Sequence, residues 1–164
     1  MLLRHAAQIV LGVTATDIVI TEREGNAPLL ELPVSHAASD FHFSLSHSHG
    51  WIACIGSAVC HVGLDIEDKT QPRNIAAAGM AAFDQEEMHW MMQQPEDRRP
   101  AAYYRLWGCK EALYKLACNQ GQDDAIGGIG SGWNCRVLPH ERLAICLCSA
   151  SLLESVDIVE LDGI

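Results

Sequence analysis

The sequence predicts an α+β fold. Short strand-like stretches flank a helical block, the longest helical run opens just after a proline, and nothing shows the strand–helix–strand rhythm of a parallel sheet. With 164 residues, 49% of them hydrophobic, the chain has enough apolar material for one domain, or for two small lobes sharing a core.

Residues 4–11 form a short helix, ended by Gly12. Residues 17–21 (DIVIT) make a strand, and 22–28 (EREGNAP) a turn or loop. The alternation in 41–46 (FHFSLS) gives a second strand, with 51–57 and 60–66 (CHVGLDI) following. Residues 76–83 and 86–94 are helical, separated by Asp84 as an N-cap. Pro95 stops that run, and Pro100 suits the first turn of a longer helix over 101–119. The glycine-rich stretch 121–132 reads as a mobile loop. Residues 133–138, 143–150 and 156–161 are closing strands.

The formal net charge is −10, and no basic cluster offsets it. This disfavours nucleic acid as a partner. It also means that a polyanionic ligand needs a metal ion or local cations beside it. Seven cysteines at scattered spacings argue against a disulfide framework and for a reducing, cytoplasmic setting. No signal peptide and no stretch of transmembrane length is evident, so no membrane partner is expected.

Three motifs carry chemistry. In Gly63-Leu64-Asp65-Ile66-Glu67, strand alternation sends both carboxylates to one side and Leu64 and Ile66 to the other. Taken alone, the pair fits a solvated edge strand or a site for a hard cation such as Mg²⁺, which accepts carboxylates, water and phosphate oxygens. In Trp107-Gly108-Cys109-Lys110-Glu111-Ala112-Leu113-Tyr114-Lys115, helical spacing aligns Trp107, Glu111 and Lys115 on one stripe. That stripe fits a core Trp beside a surface ion pair, or a third metal carboxylate beside a phosphate-binding cation. Lys110 lies about 100° round the helix from Glu111, at the site's margin or in solvent. The third motif, Ser44-Leu45-Ser46-His47-Ser48, puts hydroxyls and an imidazole at a strand end, where they can meet phosphate.

In the order SLSHS, GLDIE, WGCKEALYK, the chain resembles the 4'-phosphopantetheinyl transferases, whose motifs are a Ser-His-Ser segment, G-[VI]-D-x-E and W-[STA]-x-K-E-[AS]-x-x-K. Asp65 and Glu111 stand 46 positions apart, and 62 residues precede Gly63. This resembles the longer, monomeric, surfactin-synthetase-activating type. The resemblance implies two related halves: a shortened N-terminal half over about 1–60, and a C-terminal half over about 61–164. It implies a transferase moving the phosphopantetheine arm of coenzyme A to a serine of an apo acyl or peptidyl carrier protein. Mg²⁺ would be held by Asp65, Glu67 and Glu111. Lys115 would contact the coenzyme A diphosphate, supported by Lys110, while Ser46 and His47 would contact its phosphates. Glu87, in an F-x-x-x-E element, would help deprotonate the attacking serine.

The chain departs from the family pattern in places. The family's nucleotide loop G-[KR]-P reads Gly25-Asn26-Ala27, keeping only the glycine of the coenzyme A contacts. The sequence starts after a further N-terminal segment that usually supplies cations to the 3'-phosphate. Gly108 costs about 0.5–1 kcal/mol in a helix interior and leaves room for close packing. Two rival readings remain. One is a shortened homologue that binds coenzyme A or a carrier without transfer. The other is a zinc site drawn from His42, His47, His49, Cys54, Cys60 and His61, whose spacing lacks the tight pairs zinc favours.

Overall fold

The computed structural model describes residues 2–24, 26–36, 40–121 and 134–161. Gly25, the 122–133 stretch and Trp133 lie outside them, so the expected loop and the nucleotide-loop glycine have no structural account here.

The chain folds as mixed helix and sheet. Helix α1 (Leu2–Leu11) ends at Gly12, whose φ of 69° is a left-handed conformation open to glycine, with its N–H bonded back to Gln8 O. A 3-10 turn at Ala15–Asp17 precedes β1 (Val19–Arg23). The expected strand at 17–21 therefore starts two residues later. Within the expected loop at 22–28, β1 runs on to Arg23 and β2 (Asn26–Glu31) begins, pairing antiparallel with β1. Pro28 hid this strand from the sequence. A two-stranded ribbon leaves β2 an open edge, where proline forfeits no ladder bond.

Strands β3 (His42–Ser48) and β4 (Trp51–Ser57) form a hairpin across His49-Gly50, both at positive φ, as a two-residue hairpin turn requires. Strand β5 (Val62–Asp68) pairs with β7 (Leu143–Ser149), which in turn pairs with β6 (Asn134–Leu138). Helices α2 (Ile75–Ala82) and α3 (Gln85–Gln93) lead to the long α4 (Arg99–Asn119). Asp84 is the N-cap of α3, as its sequence position predicts, and it forms a reciprocal capping box with Glu87. Residues 156–161 form no strand. Their alternation reflects a segment laid over apolar side chains of β4, β5 and β7 rather than a ladder.

Strand β5 is buried. Leu64 and Ile66 pack with Leu143 and Ile145 on one face, against Trp51, Ala53 and Ile55 of β4. The opposite face meets α4. A Cβ added at Gly63 would overlap the Ala112 carbonyl and lie 2.7 Å from Leu116 N, so only glycine allows this approach. Gly108 does the same for β7: an added Cβ would sit 2.9 Å from Cys146 Cβ. The close packing expected of Gly108 is thus realised.

Three serines join β3 to β5. The hydroxyls of Ser44, Ser46 and Ser48 accept the backbone N–H groups of Leu64, Ile66 and Asp68, at 3.0, 3.1 and 3.2 Å. By backbone pairing β5 is an edge of its sheet, but this serine ladder covers that edge with β3 and leaves Asp65 buried and Glu67 largely so, which rules out the solvated-edge alternative.

Cys135 and Cys148 sit opposite one another on β6 and β7 and are joined as a disulfide. This corrects the expectation of thiols without a bridge. Strand register, invisible in the cysteine spacing, brings the two sulfurs together. Cys54, Cys60, Cys109, Cys118 and Cys146 are free.

Candidate functional site

A cleft of 280 Å³ opens between β3, β5 and α4, lined by Leu45, Ser46, His47, Asp65, Ile66, Glu67, Trp107, Glu111 and Lys115. The period-2 strand and the period-4 helix stripe therefore face one another, and all three expected carboxylates share the space between them.

Each strand carboxylate is held by one serine and one cation. Asp65 is 94% buried by its 6% exposure; its Oδ1 accepts from Ser46 Oγ at 3.1 Å and Lys115 Nζ at 2.9 Å. Glu67 Oε2 accepts from Ser48 Oγ at 3.1 Å and from Arg73 Nη2 at 3.1 Å, while Oε1 accepts from Arg73 Nη1 at 3.3 Å. Among the described residues Glu111 has no hydrogen bond and no ion pair.

The electrostatics follow from this placement. Burial lifts the Asp65 carboxyl above its ordinary range, against the pull of Lys115 and Ser46. Burial also lifts Glu111, and the charges of Asp65 and Glu67 lift it further. The three carboxylates thus feel one another across the cleft.

Among the described residues no group of three His, Cys, Asp or Glu side chains is arranged to hold a metal ion as it stands. Two of the three carboxylates are turned to Lys115 and Arg73, which relieves their mutual repulsion. The donor set nevertheless fits a hard divalent cation. It is all oxygen, and Asp65 Oδ2 is buried with no hydrogen-bond partner. An orphaned carboxylate oxygen beside two more carboxylates is what such an ion would satisfy.

Other expected residues fall differently. Ser46 is buried, and its hydroxyl serves Ile66 N, Asp65 and Lys115, which leaves it little capacity for a phosphate. His47 is exposed at the cleft wall. Lys115 directs three donors to Ser46 Oγ, Leu64 O and Asp65 Oδ1, so contact with a phosphate requires exchange of one of them. Lys110 and Glu87 do not line the cleft. They pair with each other at 2.7 Å, and Glu87 Oε2 also accepts Asp84 N in the capping box. Arg73 is not among the residues singled out by the sequence, and Ser48 stands there only as a hydroxyl of the third motif. Arg73 follows β5 in a segment without periodicity, and only its position over Tyr103 and Trp107 shows what it does.

Residues 61–145 match the family model of the 4'-phosphopantetheinyl transferase superfamily. The chain is 34% identical over 117 residues to the 4'-phosphopantetheinyl transferase psf-1 of Bacillus pumilus, across 71% of this chain and 46% of the relative. It is 31% identical over 101 residues to the 4'-phosphopantetheinyl transferase Sfp of Bacillus subtilis (strain 168), across 61% and 41%. It is 28% identical over 116 residues to the 4'-phosphopantetheinyl transferase gsp of Aneurinibacillus migulanus, across 70% and 44%. The chain spans about half the length of the curated relatives it matches. The matched span holds β5 and α4, the two elements that face each other across the cleft, and on it the chain belongs to the 4'-phosphopantetheinyl transferase superfamily.

Proposed function

We propose that this chain transfers the 4'-phosphopantetheine arm of coenzyme A to a serine hydroxyl of an apo acyl or peptidyl carrier protein, releasing 3',5'-ADP. The observation that carries the reading is the cleft itself: Asp65, Glu67, Glu111 and Lys115 gathered around a buried, unpartnered carboxylate oxygen. Asp65, Glu67 and Glu111 would hold Mg²⁺. Bound there, the ion supplies charge neutralisation of the diphosphate and polarisation of the phosphorus under attack.

The chain's own residues do the rest. Ser46 and Ser48 hold the two strand carboxylates in place before any ligand arrives. Lys115 opposes the upward push of burial on the Asp65 carboxyl and places positive charge at the cleft floor, where charge grows on the leaving diphosphate. Trp107 walls one side, and His47 at the other is free to meet a phosphate. Glu87 is engaged with Lys110 and the α3 N-terminus, so its part is to fix Lys110 and the helix start unless that pair opens to take the serine proton. Support for a boundary near residue 60, between an N-terminal half and a C-terminal half, comes from the start of the family match at 61. The five free thiols fit a cytoplasmic setting, and the Cys135–Cys148 bridge weighs against it. No helix among the described residues is long and apolar enough to cross a membrane.

The test is intact-mass measurement of an apo carrier protein incubated with the folded chain, coenzyme A and Mg²⁺. The expected result is a gain of one phosphopantetheine arm, abolished by EDTA. Coenzyme A retained without any gain on several carriers would replace this reading with a non-catalytic binder.

A further inference from the structure

Arg73, which no motif names, is tied into the site by three hydrogen bonds and two aromatic rings. Its guanidinium forms a two-pronged pair with both oxygens of Glu67, at 3.3 and 3.1 Å. Nη1 also donates to the Tyr103 hydroxyl at 3.2 Å. The rings of Tyr103 and Trp107 stack at 6.2 Å and 15°, and Arg73 Cζ lies 5.9 Å from each ring centroid. Tyr103 is fully buried, and Trp107 also lines the cleft. The fork therefore rests on a rigid aromatic shelf that is itself part of the site wall.

The consequence lies in the lone pairs of Glu67. A carboxylate has about four acceptor positions, two on each oxygen. At Glu67, Oε2 accepts both Ser48 Oγ and Arg73 Nη2, and Oε1 accepts Arg73 Nη1. Only one position is left, on Oε1. A metal ion in this cleft would meet Glu67 through a single oxygen. Mg²⁺ is content with that, since it takes six ligands in a strict octahedron and binds carboxylates one oxygen at a time. Ca²⁺ takes six to eight ligands and gains from carboxylates that present both oxygens.

We propose that Arg73, with Ser48, holds Glu67 as a one-oxygen ligand and thereby sets the site's preference for Mg²⁺ over Ca²⁺. Arg73 is on this view a positioning residue that determines metal specificity. The inference rests on the metal reading under Proposed function. Lysine cannot replace it, because an ammonium supplies a point charge without the planar fork that occupies both oxygens.

The test is calorimetric titration of the folded chain with MgCl₂ alone and CaCl₂ alone, without coenzyme A or carrier. Wild type is expected to favour Mg²⁺. Arg73→Lys and Arg73→Met are expected to lower the Mg²⁺/Ca²⁺ affinity ratio by about tenfold or more, within the range seen for residues that orient metal ligands. Ser48→Ala returns one lone pair and is expected to lower the ratio by a smaller factor; it decides the matter if the Arg73 variants do not fold. A wild-type ratio in folded Arg73→Lys, or in Ser48→Ala where that variant decides, overturns the inference and leaves the metal reading standing. Wild type that binds neither ion overturns both.

Discussion

Replacing Asp65 with alanine is expected to reduce phosphopantetheine transfer by about a hundredfold or more, while the chain stays folded. Asp65 supplies the buried Oδ2 that has no other partner, so its loss removes the oxygen most in need of a cation. Lys115, 28% exposed, keeps Ser46 and the Leu64 carbonyl and is not left as a stranded buried charge. Glu111→Gln sharpens the point, because activity and stability should move in opposite directions. The folded-state pKa of Glu111 is raised, so the folded chain holds that proton more tightly than the unfolded one. Stability therefore falls as pH rises from the ordinary carboxylate value, about 4.3, through the raised one. At neutral pH the metal-free Gln variant should melt higher than wild type, with the gain vanishing below about pH 4. Added Mg²⁺ should reverse the order, since only wild type then gains stability from binding. Thermal unfolding with and without Mg²⁺, beside the transfer assay, reads both effects. A Gln variant that melts lower than wild type without the ion, or retains transfer, would contradict the assignment.

Gly63→Ala is expected to cost about 3 kcal/mol, at the upper end for an added buried methyl group, and so to lower the melting temperature by roughly 10 °C. The added carbon meets helix backbone rather than a flexible side chain: the Ala112 carbonyl, with Leu116 N at 2.7 Å. Relief requires α4 to move away from β5, and that movement also separates Glu111 from Asp65 and Glu67. Stability and transfer should fall together here, unlike in Glu111→Gln. A Gly63→Ala chain that melts within a degree or two of wild type would show that the seam is less tight than its geometry.

How much of this was legible depended on whether a feature is local. The facing of Asp65 and Glu67 and the stripe of Trp107, Glu111 and Lys115 follow from the periods of strand and helix, and the structure brings them to one cleft. The Asp84 cap was legible for the same reason. The partners of those residues were not. Ser46 and Ser48 read as candidate phosphate donors or plain strand residues until β3 was set beside β5, where they zip two strands and orient two carboxylates. Arg73 lies six residues past Glu67, and its role depends on a shelf 30 residues further on. Glu87 and Lys110 matched family positions, yet their mutual ion pair is a tertiary contact that the motifs do not encode. The Cys135–Cys148 bridge depends on register, and the alternation of 156–161 joins no ladder although Glu160 pairs with His140.

The central claim is that Asp65, Glu67 and Glu111 hold a divalent ion against the diphosphate of coenzyme A. Phosphorus relaxation of coenzyme A with Mn²⁺ as a paramagnetic substitute measures this without any carrier protein. With wild type, the two diphosphate resonances should broaden more than the 3'-phosphate, and Asp65→Ala should remove the difference. Equal broadening of all three phosphates, or selective broadening that survives in Asp65→Ala, would place the ion elsewhere and contradict the site.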